Sequence, residues 1–147
     1  MYYANMIHFN AASLIGKTRD AMNKLIVAEL EKHQIFDIVP SHGDILLHLY
    51  QEDGLSIKTL ADRIHRTQPT VTVLVDKLQK FGYVQRIKSH QDSRVTLIHL
   101  TDKGRGLEPV FRDISDTLNQ AIYGSLSPAE QEQLEVWLGD ILQRLST

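Results

Sequence analysis

The sequence predicts a mainly α-helical (α+β) chain with one β-hairpin set into its middle, and three observations carry that prediction. Apolar residues recur at helical spacing in the first 33 residues, in short segments between 42 and 81, and again from 102 onward. Between them, "YVQRI" (83–87) and "VTLIHL" (95–100) are strand-like runs joined by the polar stretch "KSHQDSR". The charge is also divided. Residues 55–106 hold ten basic and four acidic side chains, a balance of +6, and the remainder holds six basic and fourteen acidic, a balance of −8.

The elements follow in order. Ile7, Ala11, Leu14, Thr18, Ala21, Leu25 and Ala28 repeat at spacings of four and three, giving a long first helix to about His33 that "DIVPS" interrupts. Ile45, Leu46, Leu49 and Tyr50 form one side of a shorter helix in "HGDILLHLYQ", which "EDG" ends. Ser56 is an N-cap by type for "IKTLADRIH", with Ile57, Leu60, Ala61 and Ile64 on one face.

The next stretch, "TQPTVTVLVDKL", is ambiguous. Its β-branched residues favour a strand by propensity. Tested at helical spacing, however, Val71, Leu74, Val75, Leu78 and Phe81 fall at i, i+3, i+4, i+7 and i+10. The strand alternation fails at Leu74. The longer period decides for a helix, with Thr67 as cap, Pro69 in the first turn and Gly82 at its end. After the hairpin, Thr101 opens a helix bearing Leu107, Val110, Phe111, Ile114, Leu118, Ala121 and Ile122, with Pro109 bending its start. "SPAE", from Ser127 to Glu130, has capping-box spacing, and Leu134, Trp137, Leu138, Ile141, Leu142 and Leu145 stripe the last helix.

Composition narrows the function. At 147 residues, 42% hydrophobic and 23% charged, the chain is expected to form a single globular domain, residues 1–147, with a proper core. With no cysteine, disulfides, thiolate metal sites and cysteine redox sensing are excluded. No apolar run reaches the roughly 18 residues of a membrane span, and the first residues do not read as a signal peptide, so a cytoplasmic location without membrane partners is expected. A basic centre between acidic flanks is the footprint of a module that meets an anion, with phosphate backbone the leading candidate and chance clustering on a solvated surface the bland alternative.

Two short helices joined by a tight turn and followed by a hairpin make a helix-turn-helix with a wing: residues 36–101, with the helix-turn-helix at about 56–80 and the wing at about 83–100. Opposite its apolar face the second helix offers Gln68, Thr70, Thr72, Val73, Asp76, Lys77 and Lys80. Short or hydrogen-bonding side chains near a helix N-terminus suit entry into a major groove, where Gln pairs with adenine and the Thr methyl meets thymine. The first-turn amides around Gln68 and Thr70 are expected to be free for phosphate. Lys88, Ser89, His90 and Arg94 cluster at the wing tip around Asp92, and an Arg there suits a narrow minor groove. Asp92 is placed to hold Arg94 through a carboxylate–guanidinium pair, though an ordinary exposed ion pair would look the same in sequence.

The stretch "LSIKTLADRIHRTQPTVTVLVDKLQKFGYVQRIKSHQDSRVTLIHLTDKG", residues 55–104, resembles the MarR family of bacterial transcriptional regulators. The similarity is most specific at the wing: Asp92, any residue, Arg94, a strand, then Leu100-Thr101 and the Lys103-Gly104 helix start. The resemblance implies a homodimer, joined through helices in 1–34 and 102–147, that acts as a ligand-responsive repressor on a pseudo-palindromic double-stranded DNA operator. It places Gln68, Pro69, Thr70, Thr72 and Val73 at the major groove and Arg94 at the minor groove, and we add Thr67, Lys77 and Lys88 to the DNA-binding set. Val73 stands where many members carry a basic residue, so one base or phosphate contact is expected to be replaced by an apolar one. The resemblance also implies a small aromatic or anionic effector, for which topology suggests His8, Ser41 and His42.

Rival readings are weaker. A metal-responsive version draws on seven histidines, but His42 and His48, six apart, are about 240° of rotation from one another around a helix and cannot aim at one ion, and no HxxxH or HExxH pair occurs. No metal site and no cofactor are therefore expected. An enzyme lacks any nucleophile elbow, P-loop or dinucleotide fingerprint. A winged helix that binds only protein should carry a neutral or acidic recognition face, whereas this one carries Lys77 and Lys80 beside a basic wing.

Overall fold

The computed structural model describes residues 9–146. Ile7 and His8, the first of which opens the expected N-terminal stripe, lie outside the described residues. The chain divides into two compact units, residues 1–114 and 115–147. The first unit contains α1 (Ala11–Lys32), α2 (Pro40–Gln51), β1 (Leu55–Ser56), α3 (Ile57–Ile64), α4 (Gln68–Lys80), β2 (Val84–Lys88), β3 (Thr96–Leu100) and α5 (Asp102–Gly106). Helix α6 (Glu108–Tyr123) begins in this unit and ends in the second, which also holds α7 (Pro128–Leu145). The fold is the mainly helical, winged one that the hydrophobic periods predict.

The core of the first unit is built by the expected faces. Leu30 of α1, Ile45, Leu46 and Leu49 of α2, Leu60 and Ala61 of α3, and Val71, Val75 and Leu78 of α4 are buried together with Val84, Ile98 and Leu100 of the strands and Phe111 and Ile114 of α6. That packing keeps the β-branched α4 helical against a propensity cost of only a few tenths of a kcal/mol per residue. Ser56 caps α3 by accepting from the Thr59 amide, 3.1 Å. Gly82, at φ +85°, supplies the left-handed residue that stops α4.

Three boundaries differ from the sequence reading. Pro40 does not separate the first two helices but opens α2 in its first turn, where a missing N–H costs nothing. The hairpin is part of a three-stranded antiparallel sheet in the order β1-β3-β2, because Leu55 pairs with Ile98 and Ser56 with Leu97. A two-residue strand is too short to leave an alternation in sequence. The helix expected from Thr101 is split: α5 ends at Gly106 and α6 starts at Glu108. Pro109 has no N–H to continue the ladder, so the chain breaks there rather than bends.

In the second unit the capping box forms as spaced. Glu130 N–H donates to Ser127 Oγ at 3.2 Å, and Ser127 N–H donates to Glu130 Oε1 at 2.8 Å. Helix α7 buries none of its residues within the chain. No helix among the described residues is long and apolar enough to cross a membrane.

Candidate nucleic-acid interface

Helix α4 is presented by its neighbours rather than by its own propensity. The α3–α4 turn passes through His65 in the left-handed region (φ 56°, ψ 48°), and both His65 and Arg66 amides return to the Ala61 carbonyl. Thr67 then caps α4: its Oγ1 accepts the Thr70 amide at 3.4 Å and lies 2.9 Å from the Thr70 hydroxyl. The Thr70 amide is thus taken by the cap and not left for phosphate as the sequence suggested. Thr67, Gln68, Pro69, Thr70, Thr72, Val73 and Lys77 are all exposed, with Val71, Val75 and Leu78 beneath them in the core.

The wing is a short two-stranded ribbon with a closed tip. β2 and β3 pair from Val84–Leu100 to Lys88–Thr96. The Ser89 amide bonds the Val95 carbonyl at 2.8 Å, and the Val95 amide bonds the Asp92 carbonyl at 2.9 Å. Inside this loop Asp92 and Arg94 form a two-point pair: Nε donates to Oδ1 and a terminal nitrogen to Oδ2, both at 3.0 Å. The Arg94 amide also reaches Oδ1 at 3.0 Å. The side-chain bond to Arg94, then its backbone bond, hold the Asp92 carboxyl below the usual carboxylate range. The Arg94 side chain remains 89% exposed, and Lys88 at the end of β2 is exposed too.

Not all of the basic centre faces solvent unpaired. Arg63 pairs with Glu52 at 3.5 Å, Arg105 with Asp53 at 3.1 Å, and Lys103 donates to the Phe81 carbonyl at 2.7 Å while lying 4.4 Å above the Tyr83 ring. Arg86 of β2 donates to Asp76 Oδ1 at 2.6 Å and also to Gln79, both on α4. Nothing in sequence spacing pointed to these roles, which depend on how the sheet meets the helices. Lys58, Arg66, Lys77, Lys80 and Lys88 are exposed, as is Arg94 with its Asp92 partner, and the engaged Arg63, Lys103 and Arg105 are exposed too.

Of the expected effector residues, Ser41 is half-buried and His42 is buried at 3% exposure. His42 Nδ1 accepts the Val39 amide at 3.1 Å and so completes the first turn of α2. Its Nε2 is buried with no hydrogen-bond partner among the described residues. Burial, and then the charge of Lys77, push its pKa below the ordinary histidine value, with Asp37 opposing. A neutral His42 therefore stabilises the fold above about pH 6.5, the unfolded-state value. As pH falls below that value the unfolded chain takes up the proton more readily, and the contribution is lost. His42→Gln keeps an acceptor for Val39 without titrating. The acid-side decline in Tm below pH 6.5 should be shallower in this variant than in the wild type, read from melts at half-unit pH steps.

Among the described residues no group of three or more His, Cys, Asp or Glu is gathered to hold a metal ion.

An exposed, capped helix beside a basic-tipped ribbon defines the class: a winged helix-turn-helix protein. Residues 38–96 match the MarR family. The chain is 31% identical over 115 residues to the HTH-type transcriptional regulator SarZ of Staphylococcus haemolyticus, covering 78% of this chain and 74% of that one. It is similar to S. aureus MepR solved as a DNA complex, at 31% identity and TM-score 0.83, over 96% of this chain and 99% of that one. It is similar also to S. aureus MepR in its DNA-binding conformation, at 32% identity and TM-score 0.81, over 93% and 99% of the two chains. The chain belongs to the MarR family of transcriptional regulators and is not an enzyme.

Proposed function

We propose that this regulator is a ligand-responsive repressor that binds a pseudo-palindromic operator as a homodimer, one winged helix-turn-helix to each half-site. The observation that carries the reading is the exposed row Gln68, Thr72, Val73 and Lys77 on a helix fixed from beneath by Val71, Val75 and Leu78, next to a wing that displays Arg94. The likeness to a protein solved on DNA, over nearly the whole chain, supports it. In this reading Gln68, Thr72 and Val73 meet base edges, Val73 offering only apolar contact, and Arg94 enters the minor groove with Asp92 fixing its direction. Thr67 and Thr70 serve the cap first, leaving their methyl groups and Pro69 for close approach.

The dimer reading rests on unspent apolar surface. Helix α1 runs for 22 residues and buries Leu30 alone, and α7 buries nothing. A two-fold dimer covering a promoter would repress by exclusion, and a small effector that disfavours the DNA-bound spacing would relieve it.

The test is fluorescence anisotropy with a labelled duplex from upstream of the chain's own gene, beside a scrambled duplex, at several salt concentrations. Tight, salt-sensitive binding to the first alone is the expected result. Arg94→Ala should weaken that binding by about 1–3 kcal/mol per wing, the range for a lost specific contact. Equal binding by wild type and variant would remove the wing from the interface.

A further inference from the structure

Arg86 belongs by count to the basic centre, yet its charge is turned onto α4. On β2 it lies two residues beyond the buried Val84 and therefore on the same strand face, the one that meets the helix. One terminal nitrogen bonds Asp76 Oδ1 at 2.6 Å and the other bonds Gln79 Oε1. Asp76 and Gln79 are three apart and therefore neighbours on the same face of α4. A planar guanidinium meets two such acceptors with separate nitrogens in a fixed fork, a geometry that the single nitrogen of an ammonium does not supply. The covalent link between α4 and β2 is only the turn Phe81–Gly82–Tyr83, pivoting on a glycine at φ +85°. The Arg86 fork is a second tie across that pivot, with its side chain 30% exposed and so partly shielded from solvent.

We propose that Arg86 is a positioning residue for DNA recognition: it locks the C-terminal half of α4 to the wing strand so that helix and wing enter their grooves as one piece, and it does so without touching DNA itself. The same contact neutralises Asp76, whose carboxylate on the exposed side of α4 would otherwise repel phosphate. The proposal rests on the DNA-binding reading above and adds to it a residue that a charge count would assign to the phosphates.

The experiment compares wild type, Arg86→Ala, Arg86→Lys, Asp76→Asn and the double variant Asp76→Asn/Arg86→Ala in the same anisotropy assay, with thermal melts confirming that each is folded. Positioning predicts that Arg86→Ala and Asp76→Asn each weaken operator binding about tenfold, equivalent to about 1.4 kcal/mol. Weakening by Asp76→Asn is the telling sign, since it removes a negative charge from the helix that faces DNA. Arg86→Lys should not restore affinity, the double variant should lose no more than Arg86→Ala alone, and the salt slope of Arg86→Ala should match wild type. A phosphate contact predicts the reverse: a slope reduced by about one per subunit, near-normal binding by Arg86→Lys, and tighter binding by Asp76→Asn. That pattern, or wild-type affinity in Arg86→Ala, overturns the proposal and leaves DNA binding standing. Wild type that binds neither duplex overturns both.

Discussion

Gly104→Ala is expected to lower stability by at least about 3 kcal/mol, and Gly106→Ala, two residues along the same short helix, to leave it unchanged or raise it slightly. A Cβ on Gly104 would stand 2.1 Å from the Tyr83 carbonyl oxygen and 3.1 Å from its carbon. That carbonyl cannot easily yield, because it accepts the Thr101 amide at 3.1 Å. The Tyr83 side chain is also anchored: its hydroxyl donates to both oxygens of Asp37, at 2.9 and 3.1 Å. Burial and this bond push the Tyr83 pKa up to about 12. Gly104 is tied from its own side too, with its amide on Thr101 Oγ1 at 3.1 Å and its carbonyl on the Tyr50 hydroxyl at 2.7 Å. Substitution must therefore move α5 off the base of the wing. Gly106 meets nothing within 4 Å, so an added methyl there only improves helix propensity, by up to about 1 kcal/mol. Urea unfolding of the two variants beside wild type measures both effects. A loss below about 1 kcal/mol in Gly104→Ala would show that α5 is not held against Tyr83 as the structure has it.

The Lys-Gly pair that helped mark the family in sequence thus has a physical basis. Gly104 permits a backbone approach, and Lys103 reaches back to the Phe81 carbonyl and the Tyr83 ring. What the sequence made legible was whatever follows a period or a cap. Val71, Val75 and Leu78 announced α4 against its own β-branched composition, and Ser56, Thr67, Thr101 and Ser127 cap helices as their types suggest. The exposed row on α4 was equally legible, being the complement of the buried one. What escaped was set by tertiary approach. Strand β1 exists only because β3 offers it an edge, and Pro40 opens a helix rather than separating two because Val39 and His42 supply the cap. Arg86 and Lys103 are indistinguishable in sequence from Lys77 and Lys80, and only the packing of strand on helix shows which cations are already engaged. His42, suggested for an effector by topology, has its Nδ1 on the α2 cap and its Nε2 in the interior.

The second large effect is expected from the apolar face of α7. At 100° per residue, Leu134, Trp137, Leu138, Ile141, Leu142 and Leu145 fall within a band about 140° wide, and Gln143 lies on the far side. Within one chain most of that band is open to water: Trp137 is 60% and Leu145 79% exposed, with Leu134 and Ile141 half-buried. Leaving so continuous a stripe in water is unfavourable, at about 25 cal/mol for each Å² of apolar surface, and a second copy of the chain is the partner that the proposed dimer supplies. Leu138→Glu should therefore leave the protomer folded, since the residue is half-exposed there already, but dissociate the dimer. Gln143→Glu adds the same charge on the opposite side and should do neither. The consequence for function follows from linkage of the two half-sites. Once separated, each winged module binds its half-site alone, and operator affinity should fall by about 10²–10⁴, the usual gain from tethering two binding events. Light scattering and anisotropy on the same samples test the chain of reasoning at both points. A Leu138→Glu protein that remains dimeric would place the interface elsewhere than on this stripe. One that becomes monomeric yet binds the operator as tightly as wild type would show that operator binding does not depend on the pair.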